Sequence, residues 1–251
     1  MEFEGKKVLI TGAGREFGRT LAVCFAKSGA ELFLSARTLE KARASKAVIK
    51  SVLPAAVVHC FMADLTDGPQ LKKFRTEVQS ITDRIDVLIH NAAFWLERDL
   101  LDTDDEDIAR TVATTATGPI IVTKQLLPLI KRSNAADIVF VNGDAGLRNT
   151  GRNINEAFSS AKAAQAFFAE RLRVRLRANG VRVLTIYPPD FCNTSPLDSA
   201  TWEYRRNSSK DGRLTARNIF ECIRFALLQD RICSIDEIVL SNNNGQMWLS
   251  K

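Results

Sequence analysis

The sequence predicts an α/β protein of a single domain, residues 1–251, built on a seven-stranded doubly wound parallel sheet with helices on both faces. Three observations predict it. Short apolar runs alternate with longer amphipathic segments along the whole chain, which is the order of right-handed βαβ units. The first apolar run, Val8-Leu9-Ile10, leads through the glycine turn Thr11-Gly12-Ala13-Gly14-Arg15-Glu16-Phe17-Gly18 into an amphipathic segment. Strand, glycine turn and helix in that order build a phosphate-binding site at a helix N-terminus. Finally, 251 residues can bury one substantial core, and no linker, internal repeat or low-complexity tract divides them.

The elements follow in order. A first helix is predicted from about Arg19 to Ser28, and Glu31–Ser35 reads as a second strand with Arg37 just past its end. A Lys- and Ala-rich helix runs from Leu39 to about Ser51. Ala55–Cys60 is a third strand leading to Ala63-Asp64-Leu65. The next helix places Leu71, Phe74 and Val78 on one side. Ile85–Ile89 is a fourth strand ending in His90-Asn91-Ala92-Ala93. From Asp104 to about Lys131 the pattern predicts one long helix, acidic at its start and basic at its end, as the helix dipole prefers. Asp137–Val141 is a fifth strand, and a helix runs from about Asn153 to Ala178, stopped by Asn179-Gly180. Val181–Tyr187 is a sixth strand broken by Pro188-Pro189. The stretch 190–212 is polar and irregular, with Ser208–Gly212 its most mobile piece. A last helix, Thr215 to Gln229, precedes a seventh strand, Ile235–Leu240.

Composition excludes several classes. A net charge of +6 invites a nucleic-acid partner, but the basic residues are dispersed. Their densest group, Arg171, Arg173, Arg175 and Arg177, reads as a solvated helix end. Five scattered cysteines without CxxC spacing argue against a disulfide framework and against a metal site. The N-terminus lacks a secretory apolar region and no run approaches a membrane span, so a cytoplasmic protein that binds neither membrane nor nucleic acid is expected. Ligands of parallel sheets sit beyond the carboxyl ends of the strands, where most of the unusual polar residues of this chain fall.

Five motifs, in order and on the expected elements, resemble those of the short-chain dehydrogenase/reductase family, whose fold is a Rossmann fold. The turn Thr11–Gly18 resembles Thr-Gly-x-x-x-Gly-x-Gly, except that Glu16 replaces a glycine. Asp64-Leu65 resembles the pair flanking the adenine ring. His90–Ala93 resembles Asn-Asn-Ala-Gly. Phe158-Ser-Ser-Ala-Lys162 resembles Tyr-x-x-x-Lys. Tyr187-Pro188-Pro189, with Thr194 beyond, resembles the family's Pro-Gly and Thr. The resemblance covers essentially the whole chain.

It implies a nicotinamide dinucleotide held by Gly12, Gly14, Arg15, Phe17, Arg37, Asp64, Leu65, Asn91, Ala92, Ala93, Lys162, Pro188, Phe191 and Thr194. A carboxylate after the second strand suits the ribose hydroxyls of NAD, whereas an Arg pairs with a 2′-phosphate. The acidic position reads Ala36 and the next residue is Arg37, with Arg15 nearby, so NADP(H) is expected over NAD(H). Glu16 opposes this with a carboxylate near the pyrophosphate, unless it pairs with Arg15 or Arg19 or turns to solvent.

The catalytic set is altered. The resemblance places the family lysine at Lys162, but its Tyr at Phe158, which carries no proton. Its Ser falls on Gly143 (or, one residue slipped, Asn142), and its Asn on Thr115. Candidate replacement donors are Tyr187, Asp144, Asp190 and Glu156. Two readings follow: an NADP(H)-dependent oxidoreductase acting on a carbonyl or alcohol with atypical proton handling, or a degenerate member that binds NADP(H) or another ligand as a sensor or assembly subunit. Non-redox chemistry in the same pocket is a third. A homodimer or homotetramer is expected, with a small-molecule substrate or ligand and a variable substrate lid at about 190–212.

Overall fold

The computed structural model describes residues 1–147, 154–202 and 213–242. Its strands are β1 (Lys7–Ile10), β2 (Glu31–Ala36), β3 (Val58–Met62), β4 (Val87–His90), β5 (Asp137–Val141), β6 (Arg182–Tyr187), β7 (Phe191–Cys192), β8 (Leu214–Thr215) and β9 (Glu237–Val239). The helices are α1 (Glu16–Lys27), α2 (Leu39–Val52), α3 (Gly68–Ile81), α4 (Asp105–Val112), α5 (Gly118–Ile130), α6 (Glu156–Leu176), α7 (Ser199–Trp202) and α8 (Ala216–Leu227).

Seven strands form one parallel sheet in the order β3-β2-β1-β4-β5-β6-β9. The chain reverses direction across the sheet between β1 and β4, which register Val8 on Val87 and Ile10 on Ile89. Strand alternation divides the core. Val8 and Ile10 join the apolar layer under α1, α2 and α8, while Leu9 joins the layer under α3, α5 and α6. Each such fully buried aliphatic side chain contributes roughly 1.5–3 kcal/mol. Helix starts are written in the sequence. Thr38 accepts from the Lys41 amide, Asp67 from Gln70, and Asn155 from Ala157 and Phe158.

Four expectations are corrected. The first helix starts at Glu16, earlier than Arg19, because the Arg19 amide already donates to the Arg15 carbonyl, closing the first turn. The third strand is shifted to Val58–Met62 by its pairing of Leu32 with Val58 and Ala36 with Met62. The long helix from Asp104 is interrupted by a π-helical turn, Ala113–Thr117. The physical reason is Pro119: it has no amide hydrogen to donate to the carbonyl four residues back, that of Thr115. The fourth correction concerns the arginine group, which is not simply a solvated end. Arg173 is nearly buried, donates to the Val183 and Asp236 carbonyls, and lies 3.8 Å from Glu237. It ties α6 to the β6–β9 edge.

Two short strands, β7 and β8, pair outside the main sheet and join the start of the irregular stretch to the residues before α8. They had no distinct periodic signal. The segment Ser208–Gly212 lies outside the described residues.

Candidate active site

The carboxyl ends of β1, β4, β5 and β6 converge at the reversal point, where a parallel sheet leaves a crevice. The Thr11 hydroxyl fixes two of these ends: it donates to the Ile89 carbonyl and accepts from the Asn91 and Ala92 amides, at 3.1 and 3.3 Å. The Asn91 side chain returns two bonds, donating to the carbonyls of Thr11 at 3.2 Å and Gly12 at 3.3 Å. Gly12 takes φ +67°, and a Cβ there would meet Ala92 Cα at 2.8 Å, so glycine is required both by conformation and by space.

Glu16 adopts φ +47°, the only non-glycine residue among those described with a positive φ. The position keeps the backbone geometry of the glycine that the motif leads one to expect, at roughly 1–2 kcal/mol for a side chain bearing Cβ. Its carboxylate is exposed and lies 3.8 Å from the Arg15 guanidinium. Arg19 is not its partner. It donates to the Gly14 carbonyl at 2.6 Å and to the Ser45 hydroxyl at 3.0 Å, bracing the turn against α2. Arg37 is exposed at the end of β2, on the same side of the sheet end as the turn, and Ala36 leaves no carboxylate beside it.

Below the turn lies a cleft of about 240 Å³. Its walls bring together Phe17, Asn91, Ala93, Gly143, Asp144, Phe158, Lys162, Pro188 and Phe191 among the expected residues. Phe17 and Phe191 meet edge to face at 5.0 Å. Gly12, Gly14, Arg15, Arg37, Asp64, Leu65, Ala92, Thr115, Tyr187 and Thr194 are not part of that wall. Asp64 accepts from the amide and hydroxyl of Thr66, and Leu65 is buried below Gly118. The Thr194 hydroxyl is buried without a partner among the described residues.

Lys162 is 4% exposed and donates to the Val141 carbonyl at 3.0 Å. Burial holds its amine down, from the ordinary 10.5 to about 7. One turn back on α6, Phe158 is packed with Leu96 and Ala145, and the edge of Trp95 meets it at 4.7 Å. The place of a phenol is thus filled by a dry aromatic cluster. Gly143 has φ +102°, a conformation that a serine would adopt only under strain, although its Cβ direction is open.

Asn142, the slipped alternative, is buried in a polar chain. Its Nδ2 donates to the Lys162 carbonyl at 2.8 Å and to Gln165 Oε1 at 3.3 Å. Gln165 Nε2 in turn donates at 2.8 Å to the Thr115 carbonyl, the group left unpaired by Pro119. The Thr115 hydroxyl accepts from the Phe94 amide. Gln165 and Trp95 were not anticipated. A polar residue three positions after Lys162, on the buried face of a helix, was the available signal for Gln165; Trp95 offered none, because it lies on a loop.

The suggested donors separate. Tyr187 points its hydroxyl to Glu237 at 3.5 Å, and burial followed by that carboxylate pushes its pKa up to about 12. Glu156 is exposed at the start of α6. Asp144 and Asp190 do line the cleft. His90, at the end of β4, stacks on Phe140 and shares a 2.8 Å hydrogen bond with Thr123. Burial takes its pKa down to about 3, so it stays neutral. Among the described residues no group of His, Cys, Asp and Glu is placed to hold a metal, and no helix is long and apolar enough to cross a membrane.

Comparison with known proteins agrees with this geometry. The chain is 31% identical over 188 residues to an uncharacterized oxidoreductase of Thermotoga maritima, covering 75% of this chain and 72% of that one. It is 34% identical over 144 residues to 17-beta-hydroxysteroid dehydrogenase 13 of Rattus norvegicus, covering 57% of this chain and 47% of the relative. An alcohol dehydrogenase from the archaeon Thermococcus sibiricus, solved in complex with 5-hydroxy-NADP, superposes with a TM-score of 0.80 at 18% identity over 98% of both chains. A model of the short chain dehydrogenase family matches residues 6–202. That match covers most of the chain, and the chain belongs to the short-chain dehydrogenase family.

Proposed function

We propose that this protein binds NADP(H) and works as a short-chain-type oxidoreductase on a carbonyl or alcohol, moving the proton without a tyrosine. The observation that carries the reading is Lys162, buried on the wall of a cleft that opens below the Thr11–Gly18 turn, whose backbone bends as a glycine turn despite Glu16. The residues present fit the cofactor. The Thr194 hydroxyl, in the segment after β6, is buried without a partner among the described residues and could bond a bound group. Bound there, the nicotinamide supplies the hydride.

The protein side is then binding and orientation. Arg37 and Arg15 supply positive charge where a 2′-phosphate would lie, which favours NADP(H) over NAD(H). Gly12, Gly14 and Phe17 would hold the pyrophosphate, Asp64 and Leu65 the adenine, and Asn91, Ala92 and Ala93 the middle of the dinucleotide. Lys162, Pro188, Phe191 and Thr194 hold the nicotinamide end. Asp144 and Asp190 line the same cleft as Phe158 and are the candidates for a proton donor.

A second reading has its own support: Phe158, Gly143 and Thr115 are all integrated into the packing. In that reading the protein binds NADP(H) or another ligand as a sensor or assembly subunit, without turnover. We take residues 1–251 as one domain with a lid over about 190–212. Self-association as a homodimer or homotetramer is supported by the exposed apolar residues Ile120 on α5 and Phe167 and Val174 on α6. The unpaired thiols of all five cysteines suit a reducing, cytoplasmic compartment.

The deciding experiment is calorimetric titration with NADPH and NADH, followed by thermal unfolding. NADPH at about 100 times its Kd is expected to stabilise the fold by about 2.7 kcal/mol, and NADH by less. No stabilisation by either nucleotide would remove both the enzyme reading and the NADP(H) sensor.

A further inference from the structure

We infer that in the nucleotide-free protein Lys162 is a covalent amine site, condensing reversibly with an aldehyde carried on a flat aromatic group. The inference goes beyond the hydride-transfer reading and does not depend on it. It begins with what surrounds the Nζ atom. An ammonium has three donors, yet among the described residues Nζ finds one acceptor, the Val141 carbonyl at 3.0 Å. No carboxylate offsets its desolvation, since burial is the sole cause of the shift toward the neutral amine.

Two of the donors beside it are committed elsewhere, while Asn142 Oδ1 is buried without a partner among the described residues and makes no bond to Nζ. Gln165 occupies the Thr115 carbonyl, and Asn142 bridges Gln165 to the Lys162 carbonyl. The same chain fixes the backbone of the lysine, so the amine is held in one place instead of being swept through solvent. Phe158 faces Nζ with its ring centroid 5.8 Å away, a contact that favours the cation only weakly against full burial. The neutral amine, with its lone pair, is the nucleophilic form.

Four aromatic side chains share the cleft with the amine. Trp95, Phe158, Phe17 and Phe191 line the cleft beside Lys162, and about 240 Å³ admits a bicyclic ring system. The same cleft also carries Asp144 and Asp190 and opens to solvent, which can take up the water that condensation releases. The amine lone pair attacks the carbonyl carbon, and the displaced π pair goes to oxygen. That oxygen gains the two protons of the attacking nitrogen, relayed by solvent at the cleft mouth, so that the product is the neutral imine. It leaves as water, and the carbon–nitrogen double bond forms. Addition of water reverses the sequence. No oxidant or reductant takes part.

The test is reductive trapping. The full-length protein without nucleotide is incubated with 2-naphthaldehyde and sodium cyanoborohydride at about pH 6.5, where ordinary lysines are protonated. Adducts are then located by peptide mass spectrometry. Lys162 is expected to be labelled first, at least roughly tenfold faster than the exposed Lys72, Lys73 and Lys124. Lys162→Met is expected to lose this fast adduct, and if that variant does not fold, the mapping on the unaltered protein decides by itself. Label spread over surface lysines, or absent from Lys162, overturns the inference. Added NADPH separates it from the cofactor reading. Protection of Lys162 by NADPH supports both, whereas fast labelling that NADPH leaves unchanged supports the amine site and counts against the cofactor.

Discussion

Phe158 and Lys162 stand one helical turn apart on α6, with Lys162 Nζ 5.8 Å from the centre of the Phe158 ring. A phenol in that place would put a hydroxyl between the amine and a ligand in the cleft; a phenyl ring leaves the amine facing the ligand itself. Phe158→Tyr therefore adds the missing acid beside the existing lysine. Carbonyl reduction with NADPH is expected to rise by about 10²–10⁴-fold, the usual worth of positioned acid–base help. Steady-state NADPH oxidation against a panel of aromatic ketones and aldehydes checks it, and an unchanged rate would mean that the site cannot orient a carbonyl at all.

Restoring the serine is a different matter. Gly143 holds φ +102°, so Gly143→Ser is expected to destabilise the fold by about 1–2 kcal/mol despite open space at its Cβ. Urea unfolding measures this. The double change with Phe158→Tyr should therefore lose stability without a matching gain in rate.

Glu16 combines strain and charge, and two substitutions separate them. Glu16→Gly removes both, and is expected to stabilise the protein by about 1 kcal/mol and to tighten NADPH binding about tenfold, the exposed carboxylate being largely screened. Glu16→Gln keeps the φ of +47° and removes the charge. It should reproduce most of the affinity gain and none of the stability. Calorimetry and thermal unfolding on both variants give the answer.

Gln165 closes the gap that Pro119 opens. Gln165→Leu leaves the Thr115 carbonyl and one Asn142 hydrogen without partners in a buried place, at a cost of about 2–3 kcal/mol. Pro119→Ala restores the missing amide hydrogen, and it should reduce the penalty of Gln165→Leu when the two are combined. A double-mutant cycle by denaturant unfolding shows whether the two residues are coupled in this way.

Lys162 also gives the stability a pH dependence whose sign is fixed by its environment. Its pKa is about 7 folded and near 10.5 unfolded. Between those values the unfolded chain binds more protons, so this group makes stability rise with pH across that window, by up to ~1.4 kcal/mol per unit. Below about pH 7 both states carry the proton and the slope from this group vanishes. Lys162→Met should flatten the curve between about pH 7 and 10 and leave the acid side alone. An unaltered slope would show that the amine stays charged in the fold.

The sequence by itself determined the alternation of strands and helices, the parallel sheet, the glycine turn and the positions of Lys162 and Phe158, because each of these is local. Periodicity, capping residues such as Asp67 and Asn155, and motif spacing act over a few residues at a time. Only the tertiary structure decided how the altered site is held together. Gln165 meets the Thr115 carbonyl across two helices, Asn142 reaches Lys162 from the end of a strand, and Tyr187 turns to Glu237 on the neighbouring strand. Those partners are 20 to 50 residues apart in sequence. Their hydrogen bonds exist because an unpaired polar group is costly to bury, and which partner each finds depends on how helices and sheet pack, not on any local pattern. Seen this way the substitutions at Thr115, Asn142, Gly143 and Phe158 are parts of one packed arrangement, with the Lys162 amine at its open end.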